Sequence, residues 1–204
     1  DGAIVVTATG GAGSYTYTWS APGIGSTASP VNLSSGNYAV TVSDINGCVA
    51  DAAAFINQPA ALILSAGITP ALCAGEPSGA INLSVQGGTP PYDYNWSNNT
   101  VTEDLTGLLS GTYRVTVTDA NNCVSTLSDF IAEPPAMQLS FDITNINCFG
   151  DNTGAVEALV LGGVPPYQLN WSNNQSGLEL NPVPAGDYTL QVTDANGCKL
   201  EQTA

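Results

Sequence analysis

The chain has 204 residues, with 17 acidic side chains against only Arg114 and Lys199, no His, and a formal net charge of −15. That balance excludes nucleic acid as a partner, because phosphate binding needs clustered Lys and Arg. It leaves acid–base and cysteine chemistry without a histidine, so no catalytic residue is assigned. No apolar run approaches the ~20 residues of a membrane-spanning helix.

In chain order, Ile4, Val6 and Ala8 alternate inward, and GGAGSYTYTWS follows from Gly10 to Ser20. Its Tyr15, Tyr17 and Trp19 lie two apart, which puts them on one face of a strand. Tyr38, Val40 and Val42 mark another strand, DINGC (Asp44–Cys48) a turn, and Gln58-Pro59 a joint. An apolar entry strand is predicted over 60–68, then a turn-rich connection over 69–79 carrying Cys73. Ile81, Leu83 and Val85 point inward, with Asn82 and Ser84 outward. GGTPPYDYNWS (Gly87–Ser97) supplies a glycine bend and a strand bearing Tyr92, Tyr94 and Trp96. A polar loop over 97–104 leads to the stretch 105–118, with Tyr113, Val115 and Val117 inward. DANNC is the next turn, and a strand over 124–131 stops at Glu133-Pro134-Pro135. The plan then returns: Val156, Ala158 and Val160; GGVPPYQLNWS with Tyr167, Leu169 and Trp171; Tyr188, Leu190 and Val192; and DANGC.

Trp96 to Trp171, Tyr113 to Tyr188, Cys48 to Cys123, Cys123 to Cys198 and Cys73 to Cys148 are all 75 residues apart. A fixed period divides the chain into tandem units, here residues 1–59, 60–134 and 135–204. By this register the first lacks its entry strand and first Cys, and the third stops inside its last strand. About seven short strands per unit predict an all-β fold of Ig-like or PKD-like sandwiches, joined through short, stiffening Pro joints into an extended rod. Trp19, Trp96 and Trp171 are expected in the cores. So are Tyr38, Tyr113 and Tyr188, whose LSSGNY, LLSGTY and VPAGDY contexts match a tyrosine corner.

The order GG-x-PPY-x-x-x-WS, then L-x-x-G-x-Y-x-V-x-V-T-D-A-N-G-C, resembles the SprB-type repeats of very long surface adhesins of Bacteroidetes. The resemblance implies export through the type IX secretion system to the cell surface. It also implies a filament of many repeats, moved along the cell by outer-membrane motility machinery in gliding, and no enzyme activity. Neighbouring repeats are the expected partners, with surface polysaccharide a further candidate.

Asp44, Asp119 and Asp194 open the three closing turns. They read either as Asx-type turn caps or as Ca²⁺ ligands, the single cofactor considered. Glu103, Asp104 and Asp151 read as solvated loop charges. The aromatic rows read as core, against a platform for sugar rings that would need them to face outward. Five Cys without His suggest structural disulfides and an extracellular, oxidising setting. Two frameworks fit the period. Pairing within a repeat joins Cys73 to Cys123 and Cys148 to Cys198; pairing across a joint joins Cys48 to Cys73 and Cys123 to Cys148. The second would span most of two domains, so the first is the expectation. The function is either a structural spacer or a binding module multiplied by repetition.

Overall fold

The structure is a computed structural model that describes residues 2–148 and 150–204. Among these residues there are fifteen strands and no helix. They fall into two compact units, residues 1–60 and 61–204.

In the first unit, β1 (Thr16–Trp19), β2 (Gly36–Ser43) and β3 (Val49–Ile56) form one antiparallel sheet in the order β1-β2-β3. Its leading segment makes no regular strand. Gly2 bridges Leu33, and the Ile4 and Val6 amides donate to Pro30 and Ala28 carbonyls. Ile4, Val6 and Ala8 are still half-buried while Ala3, Val5 and Thr7 are exposed, so the alternation survives without a ladder.

The second unit contains the same plan twice. The first copy has β4 (Ile63–Thr69), β5 (Gly79–Gln86), β6 (Tyr92–Trp96), β7 (Leu105–Leu108), β8 (Gly111–Asp119) and β9 (Val124–Ile131). They form two three-stranded antiparallel sheets, β4-β5-β7 and β6-β8-β9. The second copy has β10 (Gln138–Thr144), β11 (Gly154–Leu161), β12 (Gln168–Trp171), β13 (Glu179–Val183), β14 (Thr189–Thr193) and β15 (Lys199–Thr203). Its sheets are β10-β11-β13 and β12-β14-β15.

Each copy therefore has six strands, not about seven. The stretch 105–118 holds two strands, β7 and β8, which belong to different sheets. The chain crosses over at Leu109–Ser110, where Gly111 takes φ 151° and Gly107 φ 65°. The crossover is braced by a tyrosine corner. The Tyr113 hydroxyl donates to the Leu109 carbonyl (3.2 Å), four residues back. Tyr188 does the same to Pro184 (3.0 Å) and Tyr38 to Ser34 (2.9 Å).

Period-two patterning places each core. Ile81 and Leu83 from β5 meet Trp96, Leu105, Leu108, Val115, Val117 and Ile131, so both sheets face one apolar layer. In the second copy Val156, Ala158, Trp171, Leu180, Val183, Leu190 and Val192 build the matching cluster. Val115, Val117, Leu190 and Val192 are wholly buried. These are β-branched or branched aliphatic side chains on central strands, where the pleat gives each a close-packed neighbour on either side.

Candidate functional site

The three Trp residues occupy equivalent places. Trp96 and Trp171 are each 3 % exposed, and Trp19, in the smaller first unit, is half-buried. Each indole donates to a carbonyl in the following loop at 2.9 Å: Trp19 to Thr27, Trp96 to Thr102 and Trp171 to Gly177. A buried indole needs such a partner. Phe141 tilts against Trp171 with ring centroids 5.7 Å apart. The Tyr15, Tyr92 and Tyr167 hydroxyls each donate to the carbonyl five residues back, those of Gly10, Gly87 and Gly162. Tyr38 is buried, and Tyr113 and Tyr188 are half-buried. The Trp rings thus face the layers between strands rather than presenting a flat outer platform.

The aspartates make a second repeated device, at the end of each sandwich where the GG bend meets the closing turn. One Asp119 oxygen accepts from the amides of Asn121 (2.9 Å) and Cys123 (2.8 Å), and the other accepts from Thr89 (2.9 Å). Asp194 repeats this with Asn196 (2.9 Å), Cys198 (2.9 Å) and Val164 (2.9 Å). Asp44 repeats it with Asn46 (2.9 Å), Cys48 (2.8 Å) and Ala12 (3.0 Å). One carboxylate therefore closes its own turn and ties that turn to the glycine bend about 30 residues earlier. The second glycine of the bend has to lie against it. A Cβ on Gly88, which sits at φ 63°, would come within 3.0 Å of an Asp119 oxygen and 2.9 Å of Leu62.

Burial is the largest single influence on Asp119 and Asp194 and would raise them, but the amide donors together outweigh it. Both carboxyls are held below the ordinary Asp value. Asp44 is also lowered, led by the Ala12 and Cys48 amides. Amide hydrogen bonds favour the charged form of a carboxylate. Among the described residues no group of three or more His, Cys, Asp or Glu converges as metal ligands would. The oxygens weighed for Ca²⁺ are those that hold the turns.

The cysteines correct the sequence expectation. Cys73 is bonded to Cys198, with Cα atoms 5.7 Å apart and 125 residues between them. Cys48, Cys123 and Cys148 are free and exposed. Neither the Cys73–Cys123 and Cys148–Cys198 set nor the Cys48–Cys73 and Cys123–Cys148 set is formed. The reason lies in strand direction. β4 is antiparallel to β5, and β9 lies beside β4, so Cys73 and the end of β9 emerge at one end of the first copy. The Cys123 turn lies at the other end, a strand of ~8 residues and ~26 Å away. In the second copy the closing turn sits where the chain enters: the Gly163 amide donates to the Pro135 carbonyl (2.8 Å), and Asp194 lies against Gly163. The first cysteine of one repeat thus meets the second cysteine of the next.

The same junction holds contacts that carried no sequence signal. The Asn196 amide side chain donates to the Leu72 carbonyl (2.8 Å), and a Glu133 carboxylate oxygen accepts from the Gly75 amide (2.7 Å). A cleft of about 650 Å³ beside the disulfide is lined by Leu72, Glu76, Pro135, Met137, Asn196 and Lys199 among others. The Asn196–Leu72 pair is 124 residues apart and crosses from one repeat to the next, which is why neither repeat alone points to it, and the Glu133–Gly75 pair joins the two ends of one repeat 58 residues apart.

Fold and junction together define a tandem-repeat β-sandwich protein with a covalent link between successive repeats. Three regions of the chain, residues 1–23, 65–101 and 140–176, match the SprB repeat family. Each of the two later matches runs from the entry strand through the Trp strand into the loop beyond it. No curated protein is significantly similar in sequence. Among solved structures, the eight N-terminal Ig domains of Down syndrome cell adhesion molecule align at 10 % identity and TM-score 0.44, over 92 % of this chain and 32 % of that one. The chain thus spans about a third of that structure's length. A tetra-tandem repeat from the extending region of a large adhesion protein aligns at 15 % identity and TM-score 0.26, over 93 % and 65 %.

Proposed function

We propose that this chain is a non-catalytic repeat segment of a long cell-surface adhesin, acting as a structural spacer that holds a binding element away from the envelope. In this reading it is exported by the type IX system and serves adhesion or gliding, with the outer-membrane machinery engaged by other parts of the protein. The observation that carries the reading is the commitment of the repeated polar and aromatic groups to the fold itself. The aspartates hold turns, the indoles and phenols hold loops, and two cysteines hold a joint. A spacer needs such internal economy, whereas a binding module needs groups left over for a ligand.

A polysaccharide array probed with the 204-residue chain tests this. A spacer retains no glycan above background at micromolar protein. Saturable retention of a defined polysaccharide class would replace it with the multivalent-binding reading.

A further inference from the structure

The disulfide has a place in the topology that gives it a function beyond stabilisation. Take the unit 61–204 and pull its two ends apart. Tension enters at residue 61, runs along β4 to Cys73, crosses the sulfur–sulfur bond to Cys198, and leaves along β15 to residue 204. Everything between the two cysteines is a closed covalent loop to one side of that path. The loop holds both hydrophobic clusters: Ile81, Trp96 and Val115 in one, Val156, Trp171 and Leu190 in the other.

We propose that Cys73–Cys198 is a tension-carrying link, which routes tension past the two repeat cores and keeps them folded while the chain is stretched. This rests on the reading of the chain as a stretch of surface filament, since only a filament under tension would use it. The arithmetic is lopsided. The 125-residue span between the cysteines corresponds to ~400–450 Å of extended chain at ~3.3–3.6 Å per residue. While the bond holds, none of that length can be drawn out. The two loaded arms, residues 61–73 and 198–204, are about 20 residues and ~65–70 Å at full extension by the same rule. Most of each arm is already extended as β4 or β15, so little slack remains.

The arms are also placed for the task. β4 and β15 are edge strands of their sheets, each paired along its length, β4 with β5 over Ile63–Thr69 and β15 with β14 over Lys199–Thr203. Load applied between the start of β4 and Cys73 runs along the strand, across the direction of its hydrogen bonds to β5, so it does not peel them open one at a time. At the link itself, the Asn196 to Leu72 bond holds the two joined loops in register, and the Glu133 to Gly75 bond fastens the Cys73 connection to the end of its own repeat. Both bonded cysteines are half-buried, so a small phosphine reductant can reach them.

Single-molecule pulling of the full chain tests the load path whether or not the adhesin reading holds. The exposed thiols of Cys48, Cys123 and Cys148 are first alkylated on the oxidised protein, and handles are attached through terminal tags. The oxidised chain is expected to lengthen by the first unit and the short arms only. The same preparation pulled in phosphine is expected to gain a further ~400–450 Å, as is a Cys73→Ser, Cys198→Ser chain. The reduction arm uses wild-type protein, so a folding failure of the variant leaves the test intact. Equal lengthening with and without reductant would overturn the proposal. So would full lengthening of the oxidised chain. A glycan-array result that removes the spacer role would leave this outcome unchanged, which keeps the two failures apart.

Discussion

Replacing Trp96 by Ala should expose how much of a repeat hangs on one side chain. Trp96 is 3 % exposed and touches the core built by Ile81, Leu83, Val115 and Val117. Truncating a buried Trp to Ala costs ~3–5 kcal/mol through lost transfer energy and the cavity left behind. The Thr102 carbonyl, 2.9 Å from the indole nitrogen, would also lose its donor, at ~1–3 kcal/mol if no water replaces it. Trp96→Phe keeps most of the ring and gives up that bond, so it should cost less, ~1–3 kcal/mol. Native-state hydrogen exchange read by mass spectrometry can follow β5, β6 and β8 separately from β11 and β14. In Trp96→Ala, protection should fall by about two to four orders of magnitude in the first set and much less in the second, because repeats couple through neighbours. A cost under ~1 kcal/mol for the Ala variant would show that the indole is not a core plug. Equal costs for Phe and Ala would refute the cavity argument itself and place the effect in the hydrogen bond.

Acid should loosen the turns. The Asp44, Asp119 and Asp194 carboxyls sit below their unfolded value, about 3.9, so their amide bonds stabilise fully above pH ~4 and are lost as pH falls through the lower folded values. A Tm profile that is flat from pH 7 to 5 and drops below 4 is expected, and a double Asp119→Asn, Asp194→Asn chain should start lower at neutral pH and drop less; an unchanged profile would count against the clamps. Gly88→Ala should cost ~1–3 kcal/mol, from its left-handed φ and the contact with Asp119, measured by denaturant midpoint; a neutral result would contradict the close approach. Millimolar CaCl₂ and NaCl at matched ionic strength should raise Tm equally by screening the −15 charge; an excess with calcium would reveal a site. Cys148 stands in the third repeat where Cys73 stands in the second, with the same backbone bond three residues on, from Asp151 to Cys148 as from Glu76 to Cys73. A copy of residues 130–204 appended after Ala204 keeps the 75-residue register, so non-reducing peptide mapping should find Cys148 bonded to the appended Cys198 equivalent; recovery of both as free thiols would refute a recurring joint link.

What the sequence disclosed and what it withheld divide along one physical line. Period-two alternation is a property of a few neighbouring residues, so Ile81, Leu83, Val115, Val117 and their counterparts could be assigned to cores without knowing which strand pairs with which. The tyrosine corners were legible for the same reason, each hydroxyl reaching only four residues back. The Asp turns were half legible. The bonds from Asp119 to Asn121 and Cys123 follow from local turn chemistry. The third, to Thr89, is 30 residues away and had only an indirect sign: Gly88 to Asp119 and Gly163 to Asp194 are the same distance apart in sequence. The break between β7 and β8 was hidden because Leu105 and Leu108 are as apolar as the strand they precede, and alternation does not say which sheet a residue joins. The cysteine pairing was furthest out of reach. It depends on the direction in which β4, β9 and β15 run relative to the joint, and spacing alone is blind to direction. Distance arguments ruled out a bridge from one closing turn to the following repeat's connection, and the structure agrees. The pairing that satisfies both the ~4.4–6.8 Å limit and the strand directions runs the other way, from the Cys73 connection of one repeat forward to the Cys198 turn of the next. That order places the bond across the joint between two successive repeats, with both repeat cores inside the loop it closes.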